Sequence, residues 1–568
     1  MKKRWENRKQ STEEQLKSKA AEFGTNLFYT QLLLNRGITS PEQAGYFFNP
    51  QLEDLHDPFE MLDMAEAVQR IDLAVSQSEK IWVYGDYDVD GTTSVALLYS
   101  FLRQFVADIH FYIPDRDKEG YGLSQQAVSR AIAEKVDLVI TLDCGIRSVD
   151  LVKHGQQSGV DFIICDHHEV GLDLPPAVAV LDPKRPDCKY PYKSLSACGV
   201  GFKLVQALCS FWNHPMEMAL DSLDLVAVSI ASDLVPITGE NRVLAFHGLR
   251  KLETNPTQGL KTIMDRFMSS RSIDITNIVF MIGPRINAAG RIADANTAVK
   301  LLLAESDLDA DKLASDLNNY NTTRRSLDQQ ITQQALDMLV SEPNFEAKKT
   351  TVVYHPSWHK GVVGIVASRL LEQYYRPTIV LTKKGEHLVG SARSIEGFNI
   401  HDALLNCADH LIQFGGHEFA AGMTMELDSL EDFKSAFEES ANGLTKEQLT
   451  KKYVYDSEIA LAAINYKLYH NIKRFAPFGP GNMKPVFRSN NVYDTGSART
   501  MGEGGNHLKL NLIQHFGEKA VGATAFGFGP LYPSLKNGKK MDILYTIEEN
   551  SFKGEAKLEL MIQDIAVL

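Results

Sequence analysis

Short apolar runs alternate with longer amphipathic stretches from Lys80 onward, and this alternation constrains the fold more than any other feature of the chain. The apolar runs are IWVYG (81–85), IHFYI (109–113), DLVITL (137–142) and DFIIC (161–165), and helical patterns cover 92–105, 124–134 and 148–158 between them. Apolar runs bounded by turn residues and separated by helical patterns are typical of βαβ units, whose parallel sheet is buried on both faces. We therefore predict a doubly wound α/β domain, which apolar helical stretches at 199–211 and 221–235 continue.

A long helix and a second, smaller α/β unit are predicted to follow. Residues 306–342 contain no proline or glycine. Apolar residues recur there at steps of three, four or seven, which predicts one continuous stripe on a connecting helix: Leu313, Leu317, Tyr320, Leu327, Ile331, Ala335 and Met338. Beyond this helix, strand patterns at 350–357, 378–382 and 388–394 and a helical pattern at 364–375 predict an α/β unit that ends near Lys446.

The last part of the chain has a different periodicity. The segments 507–514, 541–549 and 555–564 alternate apolar with polar residues between glycine-rich turns. This pattern predicts a small antiparallel barrel such as an OB-fold.

Composition restricts the class of protein and its compartment. The chain has 568 residues with 44% hydrophobic and 23% charged side chains, as in ordinary folded proteins. Its formal net charge of −13 does not indicate a polyanionic partner, so any such partner must be met by local basic patches or by metal. Six cysteines without a CxxC pair indicate a reducing compartment, and no run reaches the 18 apolar residues of a membrane span. We expect a cytoplasmic protein, with no membrane association, that is a monomer.

The acidic motif after the first predicted strand is the strongest chemical signal. Asp86, Asp88 and Asp90 lie at alternate positions in YGDYDVDG. Three carboxylates in one turn repel each other in a cleft of low dielectric unless a cation or protonation relieves the repulsion. A solvated acidic turn is the alternative. A calcium-binding EF-hand loop is excluded because its twelfth position requires a glutamate, and that position here is Leu97.

Two other strands end in residues of the same kind. Asp143 follows the strand predicted at 137–142, and Asp166, His167 and His168 follow the strand predicted at 161–165. Ligands of open α/β sheets bind outside the carboxyl ends of the strands, so these side chains are predicted to meet at one rim. Carboxylates and imidazoles without a thiolate suit Mn²⁺ or Mg²⁺, and imidazole keeps Zn²⁺ possible.

These motifs resemble those of the DHH phosphoesterase superfamily, namely YGDYDVDGTTS (84–94), Asp143 and the DHH triplet at 166–168. Further segments are similar to the RecJ family of single-strand-specific 5′→3′ DNA exonucleases: PDR (114–116), EGYG (119–122), GPRINAAGR (283–291), GSARS (390–394), GGHEFAAG (415–422) and PFGPGN (477–482). The matches run in order from about residue 50 to the C-terminus.

The resemblance implies a site with two metal ions that share Asp143. It places Asp86 and Asp88 on one ion and Asp90, His167 and Asp233 on the other. His168, next to a ligand but not needed as one, could contact the scissile phosphate or assist the leaving group, and a hydrogen bond that orients a neighbouring residue is the alternative. Many members of the superfamily have a histidine where this chain has Tyr84, and Asp86 is the implied replacement.

Substrate selection is expected from a second group of residues. Ser391 and Arg393 lie two apart on a predicted strand, so both side chains are on one face, where they could clamp a terminal phosphate. Surface salt bridges are the alternative for the arginines. His417 follows Gly415 and Gly416, which permit close backbone approach to a phosphate. The full set that the motifs and the resemblance suggest is Arg116, Asn287, Arg291, Arg369, Ser391, Arg393 and His417.

A stretch of mixed basic and aromatic residues suggests a polymeric substrate. Between Tyr466 and Arg488, cations alternate with aromatic rings: Lys467, Lys473, Arg474, Lys484 and Arg488 with Tyr469, Phe475, Phe478 and Phe487. Cations combined with stacking platforms are typical of sequence-neutral single-strand binding. A structural module with buried aromatic rings is the alternative.

The expected organisation and activity follow from these motifs and the resemblance. The domains are an N-terminal segment (1–60), a DHH catalytic domain (61–305), the connecting helix (306–345), a DHHA1 domain (346–447) and an OB-fold (448–568). The implied activity is hydrolysis of single-stranded DNA from its 5′ end with two Mn²⁺ or Mg²⁺ ions, releasing nucleoside 5′-monophosphates, in recombination and repair. A single-strand-binding protein and recombination helicases are the implied partners. The alternatives are a phosphodiesterase of short oligonucleotides or cyclic dinucleotides and a non-enzymatic replication scaffold.

Overall fold

The structure is a computed structural model that describes residues 4–268, 273–535, 538–550 and 556–568. Its residues form two compact units. Unit 1 is built mainly from Asp57–Asp233 and Gly248–Lys451, and unit 2 from Trp5–His56, Leu234–His247 and Lys452–Leu568. Residues 1–3 of the predicted N-terminal segment and Glu555, where the last strand pattern starts, lie outside the described residues.

The β-strands of the described residues are numbered in chain order. They are β1 (Arg4–Asn7), β2 (Ile81–Gly85), β3 (Ile109–Tyr112), β4 (Leu138–Leu142), β5 (Asp161–Cys165), β6 (Ala179–Leu181), β7 (Thr351–Tyr354), β8 (Thr378–Lys384), β9 (His387–Arg393), β10 (Gln413–Gly416), β11 (Ala420–Met425), β12 (Lys452–Tyr455), β13 (Ser457–Glu458), β14 (Phe487–Asp494), β15 (Arg499–Met501), β16 (His507–Ile513), β17 (Val521–Ala525), β18 (Met541–Asn550) and β19 (Lys557–Val567).

The α-helices of the same residues follow the same convention. They are α1 (Glu13–Phe23), α2 (Leu27–Leu34), α3 (Pro41–Phe48), α4 (Met64–Ser76), α5 (Val89–Leu102), α6 (Gln125–Ala133), α7 (Val149–Gln157), α8 (Ala197–Phe211), α9 (Glu217–Leu220), α10 (Leu223–Ser232), α11 (Gly239–Thr254), α12 (Gln258–Phe267), α13 (Ile275–Asn277), α14 (Gly283–Ile292), α15 (Asn296–Leu302), α16 (Asp307–Ser341), α17 (Val363–Tyr374), α18 (Ile400–Asn406), α19 (Leu430–Ser440), α20 (Tyr466–Lys473) and α21 (Tyr532–Leu535). None of them is both long and apolar enough to cross a bilayer.

The first sheet of unit 1 is parallel and has five strands in the order β3-β2-β4-β5-β6. The four strands predicted from the sequence are confirmed, with ends within one residue of the predicted ones. The fifth strand, β6, was not predicted because it is three residues long and follows Pro175 and Pro176.

Helices cover both faces of this sheet, as the doubly wound prediction requires. On one face, Trp82, Val139 and Phe162 pack with Ala127 of α6 and Val152 of α7 in one apolar cluster. Alternate strand residues point to the other face, where α5 contacts β2 and α8 contacts β4. The sheet is therefore buried on both sides, and only its edges and strand ends are free to carry a site.

The long helix and the smaller sheet of unit 1 are also confirmed. Helix α16 spans 35 residues, and it precedes a five-stranded sheet in the order β10-β11-β9-β8-β7. The β7–β8 pair is parallel and the other pairs are antiparallel. One member of the predicted stripe is wrong: Met338 is exposed, because the buried face of the last turns passes through Ala335 and Leu339.

Unit 2 is built around a closed ring of five strands, β14-β18-β19-β17-β16, in which β16 pairs back with β14. The ring is antiparallel except for β17–β19. Residues Trp5–His56 belong to the same unit. Strand β1 pairs with β12, Trp5 donates its indole N–H to Asp564 at 2.6 Å, and Leu32 and Leu33 of α2 pack on Phe475.

Three of the four aromatic residues predicted to form a stacking surface between Tyr466 and Arg488 are buried instead. Phe475 and Phe487 are at most 1% exposed and Tyr469 is buried in the core of unit 2, so that prediction is wrong for these rings. Two of the interleaved cations are paired with carboxylates, Lys484 with Glu548 and Arg488 with Asp542, both at 2.8 Å. The sequence could not distinguish buried aromatic residues from exposed ones. In a helix or strand with one buried and one exposed face, both kinds of aromatic residue can alternate with charged residues.

Candidate metal centre and end-binding site

Three neighbouring strands of the parallel sheet deliver the candidate metal ligands to one edge. Gly85 of β2 pairs with Leu142 of β4, which pairs with Cys165 of β5. The residues after these strand ends, Asp86, Asp143 and Asp166, therefore start at the same level of the sheet. The predicted convergence of these residues at the carboxyl ends of the strands is what the structure shows.

The ligand atoms come together in three overlapping groups. Within each group, one oxygen or nitrogen atom per residue lies within 4.8 Å of the others, and the groups are Asp86–Asp88–Asp143, Asp90–His167–Asp233 and Asp143–His167–His168. The first two groups are the ligand sets that the family resemblance implied. Asp143 and His167 link them, since His167 Nε2 lies 3.3 Å from Asp143 Oδ1.

Helix α5 begins at Val89, three residues earlier than predicted, and its start fixes two of the carboxylates. Asp88 is the N-cap residue, and its Oδ1 accepts a hydrogen bond from Gly91 N at 3.0 Å. An N-cap carboxylate satisfies one of the free amides of the first turn, which explains why the helix extends back into the acidic motif. Asp90 then lies inside the first turn, where its side chain faces α8 and α10.

Asp90 is held in place by three donors. Its carboxylate accepts from the amides of Ala197 and Cys198 at 2.8 and 2.9 Å and from the Ser229 hydroxyl at 2.7 Å. The two amides belong to the first turn of α8, where the positive end of the helix dipole favours a negative charge. Asp90 is 1% exposed, so this position provides a fully buried carboxylate with a fixed orientation.

Asp143 has a left-handed backbone, with φ at 63°. This conformation is uncommon for residues other than glycine, and among them aspartate and asparagine adopt it most readily. The amide of Asp143 donates to Cys165 O at 3.0 Å, so the chain turns sharply at the end of β4. The turn directs the Asp143 carboxylate to the middle of the acidic group instead of continuing the strand.

His167 is oriented with one nitrogen free for a cation. Its Nδ1 lies 3.1 Å from the carbonyl oxygen of Leu195, which can only accept, so Nδ1 carries the hydrogen. Burial lowers the pKa of His167 below its ordinary value, which keeps the ring neutral with a lone pair on Nε2. That Nε2 lies 3.7 Å from both Asp90 Oδ2 and Asp233 Oδ2.

His168 is held differently. Its Nδ1 lies 2.7 Å from Asp166 Oδ1, and its Nε2 lies 3.1 Å from the hydroxyl of Tyr121. Burial alone would lower the pKa of His168, but the hydrogen bond with Asp166 outweighs burial and raises it to about 9. The hydrogen bond with Asp166 thus favours the charged form of the ring and occupies Nδ1.

The electrostatics of the carboxylates call for positive charge. Burial, then the charges of Asp88, Asp90, Asp86 and Asp233, raise the pKa of Asp143 well above its ordinary value. Burial and the charge of Asp88 do the same for Asp86, and burial with the charges of Asp90 and Asp88 raises the pKa of Asp233 to about 8. Asp86 Oδ1 is also buried without a hydrogen-bond partner. The described side chains thus fit a site for divalent cations, which would remove both the repulsion and the unsatisfied oxygen.

Tyr84 does not reach this group of carboxylates. It is 1% exposed in the core of the sheet, where its hydroxyl donates to Gly122 O at 2.7 Å. Sequence reasoning placed Asp166 at the rim without a role, and it left out three other residues that orient the site: Tyr121, Ser229 and Ser196, whose hydroxyl is hydrogen-bonded to that of Ser229 at 2.6 Å. Asp166 and Tyr121 stood in recognised motifs, whereas Ser196 and Ser229 carry no signal in the sequence.

Several predicted substrate-binding residues surround the carboxylates. Helix α14 carries Asn287 and Arg291 one turn apart, and it packs closely on the acidic turn, since a Cβ atom at Gly290 would lie 2.7 Å from Tyr87 O. The Arg116 guanidinium lies over the Tyr87 ring at 5.1 Å. Burial, and then the charge of Arg116, lower the pKa of Arg291 to about 10, which the charge of Asp88 partly opposes. Arg116 and Arg291 are therefore neighbours beside the metal candidates.

Ser391 and Arg393 share a face of β9, as predicted. Arg393 Nη1 donates to Ser391 Oγ at 2.8 Å and to Ala392 O at 2.7 Å. The pKa of Arg393 is lowered by burial and then by the charge of Arg116, which links this pair to the arginines of the first domain. No carboxylate is paired with Arg116, Arg291 or Arg393 among the residues that the structure describes.

The other two predicted substrate-binding residues are Arg369 and His417. Arg369 Nη2 forms an ion pair with the buried Asp328 at 2.6 Å. His417 is exposed in the turn before β11, and burial and then the charges of Arg147 and His168 lower its pKa. The glycine at position 416, with φ at 151°, is explained by local packing, because a Cβ atom there would lie 2.3 Å from Ala420 O.

Three family models match successive parts of the chain. The DHH family, N-terminal domain, matches residues 80–230, the DHHA1 domain matches 347–443 and the RecJ OB domain matches 455–564. The chain is 37% identical over 572 residues to the single-stranded-DNA-specific exonuclease RecJ of Bacillus subtilis (strain 168), covering 99% of this chain and 71% of that protein. The chain belongs to the RecJ family.

Other RecJ proteins agree with this assignment. The single-stranded-DNA-specific exonuclease RecJ of Escherichia coli (strain K12) is 32% identical, with 94% of this chain and 95% of that protein covered. The crystal structure of RecJ in complex with Mn²⁺ from Thermus thermophilus matches with a TM-score of 0.84 at 27% identity, over 100% of this chain and 80% of that chain. The structure of the same protein in complex with Mg²⁺ matches with a TM-score of 0.79 at 26% identity.

Proposed function

We propose that this RecJ-family chain is a two-metal-ion exonuclease that hydrolyses single-stranded DNA in the 5′→3′ direction and releases nucleoside 5′-monophosphates. The observation that carries the proposal is the linked pair of ligand groups at the carboxyl ends of β2, β4 and β5, in a chain whose curated relatives are single-stranded-DNA-specific exonucleases.

The metal ligands are assigned from the groups described above. Asp86, Asp88 and Asp143 would hold one ion, and Asp90, His167 and Asp233 the other, with Asp143 shared. Oxygen and imidazole donors suit Mn²⁺ or Mg²⁺, the ions in the related crystal structures. A pair of such ions would supply activation of the attacking water and would neutralise charge on the phosphoryl oxygens. His168, held by Asp166 at Nδ1, would donate a hydrogen bond from Nε2 to the scissile phosphate or the leaving oxygen in exchange for its contact with the Tyr121 hydroxyl.

The end of the strand is assigned to the arginine-rich side of unit 1. Ser391 and Arg393 would bind the 5′-phosphate. Arg116 and Arg291 would face the same phosphate from the first domain. Asn287, one turn before Arg291, and Arg369 of α17 complete the proposed set. His417 would contact the backbone near His168. Guanidinium groups without carboxylate partners are suited to bidentate phosphate contacts.

A substrate panel tests the proposal. The wild-type protein with Mn²⁺ is expected to degrade a long 5′-phosphorylated single strand and to leave a blunt duplex of the same sequence intact. A phosphodiesterase of short oligonucleotides would instead cleave di- to tetranucleotides and spare the long strand. A protein that binds the strand but hydrolyses neither substrate would be a scaffold, and the proposed activity would be wrong.

The domain boundaries, compartment and partners belong to the same proposal. We infer the domains 1–60, 61–305, 306–345, 346–447 and 448–568, with family matches lying inside the second, fourth and fifth of them. A reducing cytoplasm is supported by the six cysteines, all buried and without disulfides. A monomeric state and an association with a single-strand-binding protein and recombination helicases complete the proposal.

A further inference from the structure

The buried face of helix α16 is interrupted by polar residues at its middle. Leu317, Ile331 and Ala335 on this face are buried and apolar, but between them Asn321 and Asp328 are 5% and 0% exposed. Arg324 lies on the same face, three residues after Asn321 and four before Asp328. Buried polar groups destabilise a packed helix face unless they are satisfied, so this interruption requires a reason.

The three polar side chains satisfy each other only in part. Asp328, which is the carboxylate beside Arg324, is already paired with Arg369 of α17 at 2.6 Å. Arg324 Nη2 donates to Asn321 Oδ1 at 2.9 Å, but Arg324 Nε is buried and has no partner. Arg324 is therefore a half-buried cation that has one neutral acceptor and a carboxylate neighbour engaged by another arginine.

Arg324 also continues the arginine group of the end-binding site. Helix α14, which carries Arg291, packs on α16, and Arg285 Nε of α14 donates to Asn318 Oδ1 of α16 at 3.2 Å. The charge of Arg324 is one of those that lower the pKa of Arg291, after burial and the charge of Arg116. Arg324 thus adds positive charge to a set of guanidinium groups that already repel each other.

Helix α17 relates Arg324 to the Ser391–Arg393 pair. A Cβ atom at Gly364, in the first turn of α17, would lie 3.0 Å from Arg393 Nη2 and 3.1 Å from Ser391 Oγ. Arg369, which holds Asp328 beside Arg324, follows five residues later on α17, or about 8 Å along the axis. Arg291 of α14, whose pKa the charge of Arg324 helps to lower, donates from Nη1 to Gly361 O at 3.3 Å, three residues before Gly364. The arginines of α14 and α16 therefore adjoin the end of α17 that contacts the Ser391–Arg393 pair.

We propose that Arg324 is a further substrate-binding residue that contacts the terminal 5′-phosphate from α16. The proposal rests on the proposed 5′→3′ exonuclease activity. An anion at this place would give Arg324 the charged partner that the described side chains do not provide.

The test compares initial rates on matched 5′-phosphate and 5′-hydroxyl single strands for the wild type and Arg324→Gln, with Mn²⁺. We expect the preference for the phosphorylated strand to fall about tenfold or more, since a charge-assisted hydrogen bond is removed, while the rate on the 5′-hydroxyl strand stays within about twofold. Arg325→Gln is the matched control, because it removes the same charge from the exposed side of the same helical turn. It should keep the wild-type preference.

A second variant separates binding from folding. Arg324→Lys retains the charge, so it should recover part of the 5′-phosphate preference at an unchanged melting temperature. An unchanged preference in Arg324→Gln, or an equal loss on both strands, would overturn the proposal, the latter because it is the signature of a structural role. Wild-type protein that degrades neither strand would instead contradict the exonuclease activity, so the two failures are distinguishable.

Discussion

Asp143 combines an unusual backbone conformation with the central place among the carboxylates. Asparagine tolerates a φ of 63° as well as aspartate does, so Asp143→Asn removes the charge without straining the turn. We predict that Asp143→Asn loses at least about a hundredfold in hydrolysis while binding of single strands is retained, because the variant lacks the carboxylate proposed to be shared by both ions. Rates and affinities on one labelled strand measure this.

The matched control at this position is Asp143→Ala. It should be equally inactive but less stable than Asp143→Asn by about 1–2 kcal/mol, because alanine disfavours the left-handed region. An Asp143→Asn protein that keeps more than about a tenth of the wild-type rate would contradict the assignment of Asp143 as a shared ligand.

The raised pKa values predict how metal-free protein responds to pH. Asp233, with a pKa of about 8 in the folded state, keeps its proton there at pH values where the unfolded chain has lost it. Its contribution to stability is thus complete below about pH 4 and is lost as pH rises through about 8. We predict that the melting temperature in EDTA falls between pH 6 and pH 8.5.

Calorimetry with and without Mn²⁺ tests this pH dependence. Mn²⁺ should raise the melting temperature more at pH 8.5 than at pH 6, because the ion binds the ionised carboxylates. Asp233→Asn should flatten the slope in EDTA. A melting temperature in EDTA that rises over this interval would show that the carboxylates do not repel each other in the folded protein.

Arg393 is the residue whose removal should alter end selection most simply. Arg393→Ala should lower the preference for a 5′-phosphate over a 5′-hydroxyl end by tens- to about a hundredfold, or about 2–3 kcal/mol, because charge-assisted bonds are lost. Initial rates on matched oligonucleotides measure the ratio, and the rate on the 5′-hydroxyl strand is the internal control for the metal centre. An unchanged ratio would place the end-binding pocket elsewhere.

At the scale of elements, the sequence determined most of unit 1. The strands β2, β4 and β5 are continuous apolar runs between turn residues, and α16 has an uninterrupted helical composition, so periodicity was sufficient. The start of α5 was misplaced because Asp88 acts both in the acidic motif and as the helix cap. The polar face of α16 at Arg324 could not be predicted either, because it depends on which helices pack there.

The dual role of Asp88 can be separated by two substitutions. Asparagine caps a helix about as well as aspartate, whereas alanine does not. We predict that Asp88→Asn and Asp88→Ala are both inactive, but that Asp88→Ala is less stable by about 1 kcal/mol in chemical denaturation with EDTA present. Equal stability of the two variants would mean that the hydrogen bond to Gly91 contributes nothing to α5.

At the scale of the whole molecule, the sequence did not predict which segments of the chain make up unit 2. Residues Trp5–His56 and Leu234–His247 belong to it together with the C-terminal ring, so cutting the chain at residue 450 would remove their packing partners. Pairings between segments this far apart in sequence leave no local pattern. Surface substitutions are therefore the appropriate probe of this unit.

A groove of about 1010 Å³ on unit 2 is the place to probe. Lys519 and Lys557 line it beside Tyr466. We predict that reversing both charges, Lys519→Glu with Lys557→Glu, weakens binding of long single strands about tenfold at low salt and spares cleavage of short ones, because phosphate contacts are lost. Filter binding across a salt series measures this.

The control for the groove reverses two exposed charges of unit 2 outside it, Lys9→Glu with Lys473→Glu. It should bind long strands as the wild type does. Weaker binding in the control but not in the groove variant would place the strand along α20 and contradict the groove assignment.

The central claim is that the carboxylates and His167 form a metal centre that removes nucleotides from a 5′ end. The most direct measurement is the product of a 5′-³²P-labelled single strand incubated with Mn²⁺ or with EDTA, for wild type and Asp143→Asn. We predict that wild type with Mn²⁺ releases the label as mononucleotide from the earliest time point, and that EDTA and Asp143→Asn abolish the release. A labelled ladder of intermediate lengths, or release that continues in EDTA, would contradict this account.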